Sequence, residues 1–174
     1  MMNLVWISGS FIFFLLGFLV KYMPGDIYFN SVTSGLSAFA MLGEGKIEKL
    51  FGSVKQGMIA SFVLCLVSVI FLSFFDPATD QVLLFAFVLL MAKSGASLAF
   101  GFAYAIHIEL FPAHFLISSY GICNFFCRGV TIFAPLIAEV ENPMIPNAFM
   151  AGLALLGLVA AWLLKSSTQH HIDP

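Results

Sequence analysis

Apolar stretches of about twenty residues recur from one end of this chain to the other. A helix needs about that many apolar residues to cross the hydrocarbon core of a membrane. Six segments meet the requirement, at approximately 4–22, 27–44, 57–75, 82–107, 117–138 and 146–164. Of the 174 residues 61% are hydrophobic and only 9% are charged, against about 25% charged in a soluble domain. The chain therefore reads as an all-α, polytopic membrane protein, a six-helix bundle forming one domain over 1–174. The segment 27–44 is the most polar of the six, with Asn30, Ser31, Thr33, Ser34 and Ser37. It is counted as a span because its neighbours require it to cross. The first segment lacks a basic flank and an A-x-A-like site, so it reads as a span and not as a cleaved leader.

The joints between spans carry ordinary helix punctuation. They are Met23-Pro24-Gly25-Asp26, residues 45–56, Asp76-Pro77-Ala78-Thr79-Asp80, residues 109–116 and residues 139–145. Basic residues set the expected orientation. Lys46, Lys49 and Lys55 share one joint and Lys165 closes the last span, all on one side if every segment crosses. The other side holds Lys21 with Asp26, Asp76, Asp80, Glu139 and Glu141. The expectation is a cytoplasmic 45–56 loop, cytoplasmic termini and residence in the plasma membrane.

Two spans carry a cation. Arg128 lies near the middle of 117–138. A charge there costs roughly 2.5–3.5 kcal/mol on insertion scales and is usually turned toward a protein or water-filled interior. Ser118, Gly121, Asn124, Arg128, Thr131 and Pro135 are spaced 3-3-4-3-4, which stacks them on one helix face. Lys93, Ser97, Phe100, Tyr104 and His107 are spaced 4-3-4-3, again one face. A functional reading is a cavity for an anion or zwitterion, with aromatic rings supplying apolar contact. The alternative is that the cation snorkels or pairs with a carboxylate while the rings merely pack. The pattern leaves both open for Arg128 and favours the second for Lys93.

Other features point away from chemistry. Cys65, Cys123 and Cys127 fall inside apolar segments and read as small buried residues. His107 and Glu109 could relay protons at a span end, but such residues more often cap a helix. His170 and His171 sit in a polar tail. Pairs such as Gly95/Ala99, Gly101/Ala105 and Gly157/Ala161 let helices approach closely in lipid. No nucleophile elbow, phosphate loop, metal-ligand spacing or haem motif is present. The expectation is therefore no enzyme, no cofactor, no metal and no nucleic-acid partner.

The stretch Glu109-Leu110-Phe111-Pro112, followed by Arg128 and then Ala134-Pro135, resembles the organic cation/anion/carnitine transporter family of the major facilitator superfamily. That family reads E-L-[FY]-P-T-x-x-R after its tenth helix, then a glycine-rich eleventh helix ending near a proline. Arg128 lies 19 residues after Glu109, and Pro135 seven residues further on. Ala92-Lys93-Ser94-Gly95 is similar to a motif of the tenth helix, and Gly25-Asp26-Ile27-Tyr28-Phe29-Asn30 to the entry of the eighth. The resemblance covers nearly the whole chain, from the seventh helix to the twelfth.

The resemblance implies the C-terminal half of a transporter working by alternating access, with the substrate site near the midplane between two six-helix halves. It implies that Arg128 meets a small organic anion or zwitterion, that Phe13, Phe14, Phe100 and Tyr104 line the cavity, and that Lys93 and Asn124 stand beside it. Glu109, Pro112, Gly52 and Lys55 fall on gating or structural motifs. The partners implied are the lipid bilayer, the transported ion and an N-terminal six-helix half in the same or another chain. The departures are specific. Ala113 and Leu116 replace the loop threonine and arginine. Gly52-Ser53-Val54-Lys55 is a reduced form of a basic signature, and Lys165-Ser166-Ser167 replaces a terminal P-E-T. These elements normally pair charges around a gate. Their loss raises an alternative role as a non-transporting half-size subunit or regulator packed on a full-length relative.

Overall fold

A computed structural model describes residues 1–22, 27–74, 82–142 and 144–164. The joints at 23–26 and 76–80, the motif at 165–167, and His170 and His171 lie outside the described residues. Among the described residues the chain is entirely helical: α1 (Met2–Leu19), α2 (Ile27–Leu36), α3 (Glu44–Phe51), α4 (Val54–Ser73), α5 (Val82–Leu110), α6 (Ala113–Thr131), α7 (Ala134–Ala138) and α8 (Met144–Leu163). Among the described residues, five helical segments are long and apolar enough to cross a membrane: α1 with its terminal turn, α4, α5, α6 together with α7, and α8. The protein is a multi-pass helical membrane bundle.

The segment expected as a second span, 27–44, differs from that expectation. Only ten residues, α2, are α-helical. The chain then tightens into a 3-10 helix over Ser37–Gly43 and re-enters α-helix as the short α3. Its hydroxyls explain part of the break. Thr33 Oγ1 donates to Phe29 O at 2.9 Å and Ser37 Oγ to Ser34 O at 2.6 Å. Such back-bonding to the preceding turn competes with regular helix geometry and bends it. Glycines at 35 and 43 weaken the helix further.

The end of α3 and the start of α4 follow from two adjacent residues. Gly52 closes α3 in the left-handed region, φ 79°, where glycine has no Cβ to clash. Ser53 is extended, and its Oγ accepts from Gln56 N at 3.2 Å, capping α4. Gly52 is thus a helix stop. Lys55, the second residue of α4, reaches across to α8. Its ammonium donates to Trp162 O at 2.9 Å and also to Leu164 O. A cation on the last carbonyls of a helix satisfies orphan acceptors and suits the helix dipole. Of these two residues, expected on a gating or structural motif, Gly52 ends α3 and Lys55 covers the last carbonyls of α8.

Two apolar clusters stack along α1 and α5. One joins Phe11, Leu15, Leu16 and Leu89 with Cys65, Val69 and Met150. The other joins Val5, Trp6, Phe102 and Ile106 with Met58, Phe62, Cys127 and Ala161. In lipid the tails outside are as apolar as the core, so close packing has to supply much of the adhesion. Small residues allow it. A Cβ placed on Gly95 of α5 would stand 2.8 Å from Cys65 N and 3.0 Å from Ser61 O of α4. One on Gly157 of α8 would meet the Phe62 ring at 2.5 Å. Large apolar side chains on the outside, such as Leu83, Ile117 and Phe125, are exposed. In a bilayer that exposure is contact with solvent of matching polarity.

Candidate functional site: two cations on one aromatic ladder

The α6 stripe is one face, as its spacing requires. Cys123 and Cys127 point the other way and are buried. The Cys127 thiol contacts Ser10 Oγ of α1 at 2.7 Å, and Ser10 Oγ lies 3.3 Å from Thr131 Oγ1. This polar latch fixes the rotation of α6 on α1. It therefore turns Gly121, Asn124 and Arg128 away from the bundle, where Gly121 and Arg128 are exposed and Asn124 is half-buried. In the bundle described here Gly121 and Arg128 of the stripe lie on the outside, while Thr131 stands at its edge against α1.

An open groove of about 760 Å³ runs along that face, lined by Phe14 and Phe18 of α1, by Gly121, Asn124, Phe125 and Arg128 of α6, and by Pro135 of α7. The Arg128 guanidinium sits 5.1 Å from the centroid of the Phe14 ring, a cation–π distance. Among the described residues no carboxylate forms an ion pair with it. Its five donors therefore face a groove whose walls are almost wholly apolar, with the Asn124 amide one helical turn away.

Lys93 is placed differently. It is 8% exposed, and its ammonium donates to Ser34 Oγ of α2. It also lies 5.5 Å from the centroid of the Phe13 ring. It neither pairs with a carboxylate among the described residues nor reaches out to an interface. A hydroxyl and a ring face hold it. The polar residues of 27–44 that made that segment a poor span thus supply a buried lysine with its acceptor. Sequence reasoning did not connect the two, because nothing in the spacing of either segment reveals which helix faces which.

Consecutive residues on α1 join the two cations. The Phe13 and Phe14 rings are 5.4 Å apart and perpendicular. From Phe13 the aromatic contacts continue along α5: Phe13 to Phe100 at 6.4 Å, Phe100 to Tyr104 at 5.0 Å, and Tyr104 to Trp6 at 4.4 Å. Trp6 then meets Tyr120 of α6 and His107 of α5. The expected cavity aromatics therefore form one continuous chain of contacts, from Phe14 through Phe13 and Phe100 to Tyr104. Only Phe14 of the four borders the groove. Phe13, Phe100 and Tyr104 are half-buried at the α1–α5 interface. Trp6, fully buried at the centre of this ladder, has a structural weight that its sequence position gave little sign of.

At the turn between α5 and α6, Phe111 N donates to His107 O at 3.2 Å. Pro112 is extended and caps α6. Glu109 is exposed at the end of α5, apart from the groove residues. Glu44, on α3 and outside the five spanning segments, lies against α5. A Cβ on Gly101 would come within 2.9 Å of its carboxylate. Burial, and then the neighbouring Glu48, push the Glu44 carboxyl above its usual range. Comparison with known proteins adds no assignment: no protein-family model matches the sequence, and no curated protein matches it significantly.

Proposed function

We propose that this chain is the C-terminal half of a membrane transporter that moves a small organic anion or zwitterion by alternating access, with Arg128 as the partner of a carboxylate or phosphate. One observation carries the reading. A guanidinium in the last turn of α6, inside the spanning segment that α6 forms with α7, lies exposed on a groove, with no carboxylate pairing it among the described residues. Such a charge is costly in lipid, so an arrangement that leaves it available asks for an anionic ligand or a covering half. The lining adds a constraint on the substrate. Phe14, Phe18, Phe125 and Ile132 suit an apolar or aryl body, and Asn124 with Arg128 suits a single anionic head. A second six-helix half would lie over the α6 face and complete the cavity. Cytoplasmic termini belong to this proposal, on the lysine bias of the 45–56 joint, and residence in the plasma membrane is proposed alongside them.

Uptake of a labelled aryl carboxylate by the complete protein, with Arg128→Ala and Arg128→Asp variants, tests it. Loss of uptake at unchanged membrane abundance supports the assignment; unchanged anion uptake removes it. A second reading rests on Ala113 and Leu116, which lack the side chains that the resembling family uses near its gate. In that reading the chain packs on a full-length relative and transports nothing. Co-purification of a twelve-span partner, without uptake by this chain, would favour it.

A further inference from the structure

His107 and Trp6 lie away from the groove, and neither is used by the proposed transport mechanism. Both are fully buried, at the junction of α1, α5 and α6. The hydrogen bonds around His107 fix its tautomer. Ser119 Oγ donates its one hydrogen to Leu116 O at 3.0 Å. In the 2.9 Å contact between His107 Nε2 and Ser119 Oγ, the serine must therefore accept and the imidazole donate. A neutral ring with its hydrogen on Nε2 leaves Nδ1 as a bare acceptor. Nδ1 is buried with no partner among the described residues.

Trp6 presents the complementary group. Its Nε1–H can only donate, and it too is buried without a described partner. The two rings form a perpendicular pair with centroids 5.7 Å apart. The two unpartnered nitrogens thus belong to adjacent rings, one on α1 and one on α5. Around them stand Phe111, stacked on His107 at 4.5 Å, and Tyr120, edge-on at 4.8 Å. Neither Phe111 nor an aromatic face can replace a hydrogen bond of full strength. A buried donor and a buried acceptor left apart in this aromatic shell, which includes Tyr104 and Tyr120, are each costly, by more than a typical hydrogen bond contributes. One molecule that accepts once and donates once satisfies both.

We propose that the junction binds a single water molecule that accepts from Trp6 Nε1–H and donates to His107 Nδ1. It ties α1 to α5, while the Nε2–H to Ser119 contact ties α5 to α6. The imidazole at the α5–α6 turn is then held neutral in one tautomer by partners on both nitrogens, and three helices share one polar hub inside the aromatic ladder.

Solid-state NMR of the whole protein in deuterated lipid, labelled with 15N-histidine and 15N-tryptophan, tests this. His107→Gln identifies the His107 signals among the four histidines. The expected wild-type spectrum has Nε2 protonated, Nδ1 at the position of a hydrogen-bonded lone pair, and magnetisation transfer from water to both Nδ1 and Trp6 Nε1. Trp6→Phe should abolish transfer to Nδ1 and leave the Nε2 signal in place. The wild-type spectrum decides the matter even if that variant fails to fold. An Nδ1–H tautomer, or a free Nδ1 lone pair without water transfer, would overturn the proposal.

Discussion

α5 and α6 each carry one cation into the membrane and each lie along α1, yet they treat the charge in opposite ways. The most apolar window of α5 is 67% buried inside the bundle; that of α6 with α7 is 22% buried. Lys93 on α5 is enclosed, bonded to Ser34 and laid against Phe13. Arg128 on α6 is exposed on a groove with the Phe14 ring beneath it and no carboxylate pairing it among the described residues. The difference teaches that an intramembrane charge is not by itself a binding group. What decides is whether the surrounding fold has already satisfied it. By that criterion α5 is framework and α6 is the face offered to a ligand or a covering half.

The largest effect that would test this contrast is at the tightest crossing. Gly95→Val should cost at least about 1–3 kcal/mol, the range for overpacking a filled core, since its first added carbon already meets the Cys65 and Ser61 backbones. Thermal unfolding in detergent would report a lower midpoint. The matched substitution on α6, Gly121→Val, meets open space and should leave the midpoint nearly unchanged. A large loss at both positions would erase the distinction between the helices.

Removing the acceptor of Lys93 comes next. Ser34→Ala leaves a buried ammonium without its oxygen, and hydrogen bonds to charged groups are worth about 1.5–3 kcal/mol. The expected result is a clear drop in stability that Lys93→Met, which removes the charge as well, partly restores. Arg128→Gln sharpens the other side of the comparison. Stability should stay within about 0.5 kcal/mol, as for surface changes generally, while aryl carboxylate uptake falls by more than about tenfold, as loss of one charged hydrogen bond implies. Phe14→Leu should weaken the same anion by a smaller factor, since an exposed cation–π contact is worth about 0.5–1 kcal/mol.

The smallest effect is a pH dependence at Glu44. Its carboxyl is raised by burial first and by Glu48 second, so the folded chain keeps that proton to higher pH than the unfolded chain does. The associated stability is fully present below the unfolded value and declines as pH rises through the folded one. Glu44→Gln should flatten this slope in unfolding measurements above the ordinary carboxylate range, about pH 4. A slope of opposite sign would contradict the burial of the carboxylate against Gly101.

Much of the bundle was legible in residue order. Long apolar runs mark spans whatever the tertiary contacts, and the 3-3-4-3-4 spacing put Gly121, Asn124 and Arg128 on the one α6 face they share. The direction of that face was not legible. It is set by the Cys127, Ser10 and Thr131 latch, which joins residues more than a hundred positions apart. The break in 27–44 was only half visible. Its hydroxyls were noted as polarity, but their bonds to Phe29 O and Ser34 O turn polarity into a change of helix type. Gly52 and Lys55 drew attention through a motif, and their physical roles lie in helix ends: one takes up φ 79°, the other covers the carbonyls of α8. The Trp6–His107 hub has no periodic signature, because it assembles from three helices.

The most direct test of the central claim is uptake of a labelled aryl carboxylate by the complete protein, comparing wild type with Arg128→Gln at equal membrane abundance and equal thermal midpoint. An exposed guanidinium acting as the anion contact requires uptake to fall by more than about tenfold while the fold is unaffected. Undiminished uptake by a folded Arg128→Gln protein would show that the groove on α6 is not where the anion binds.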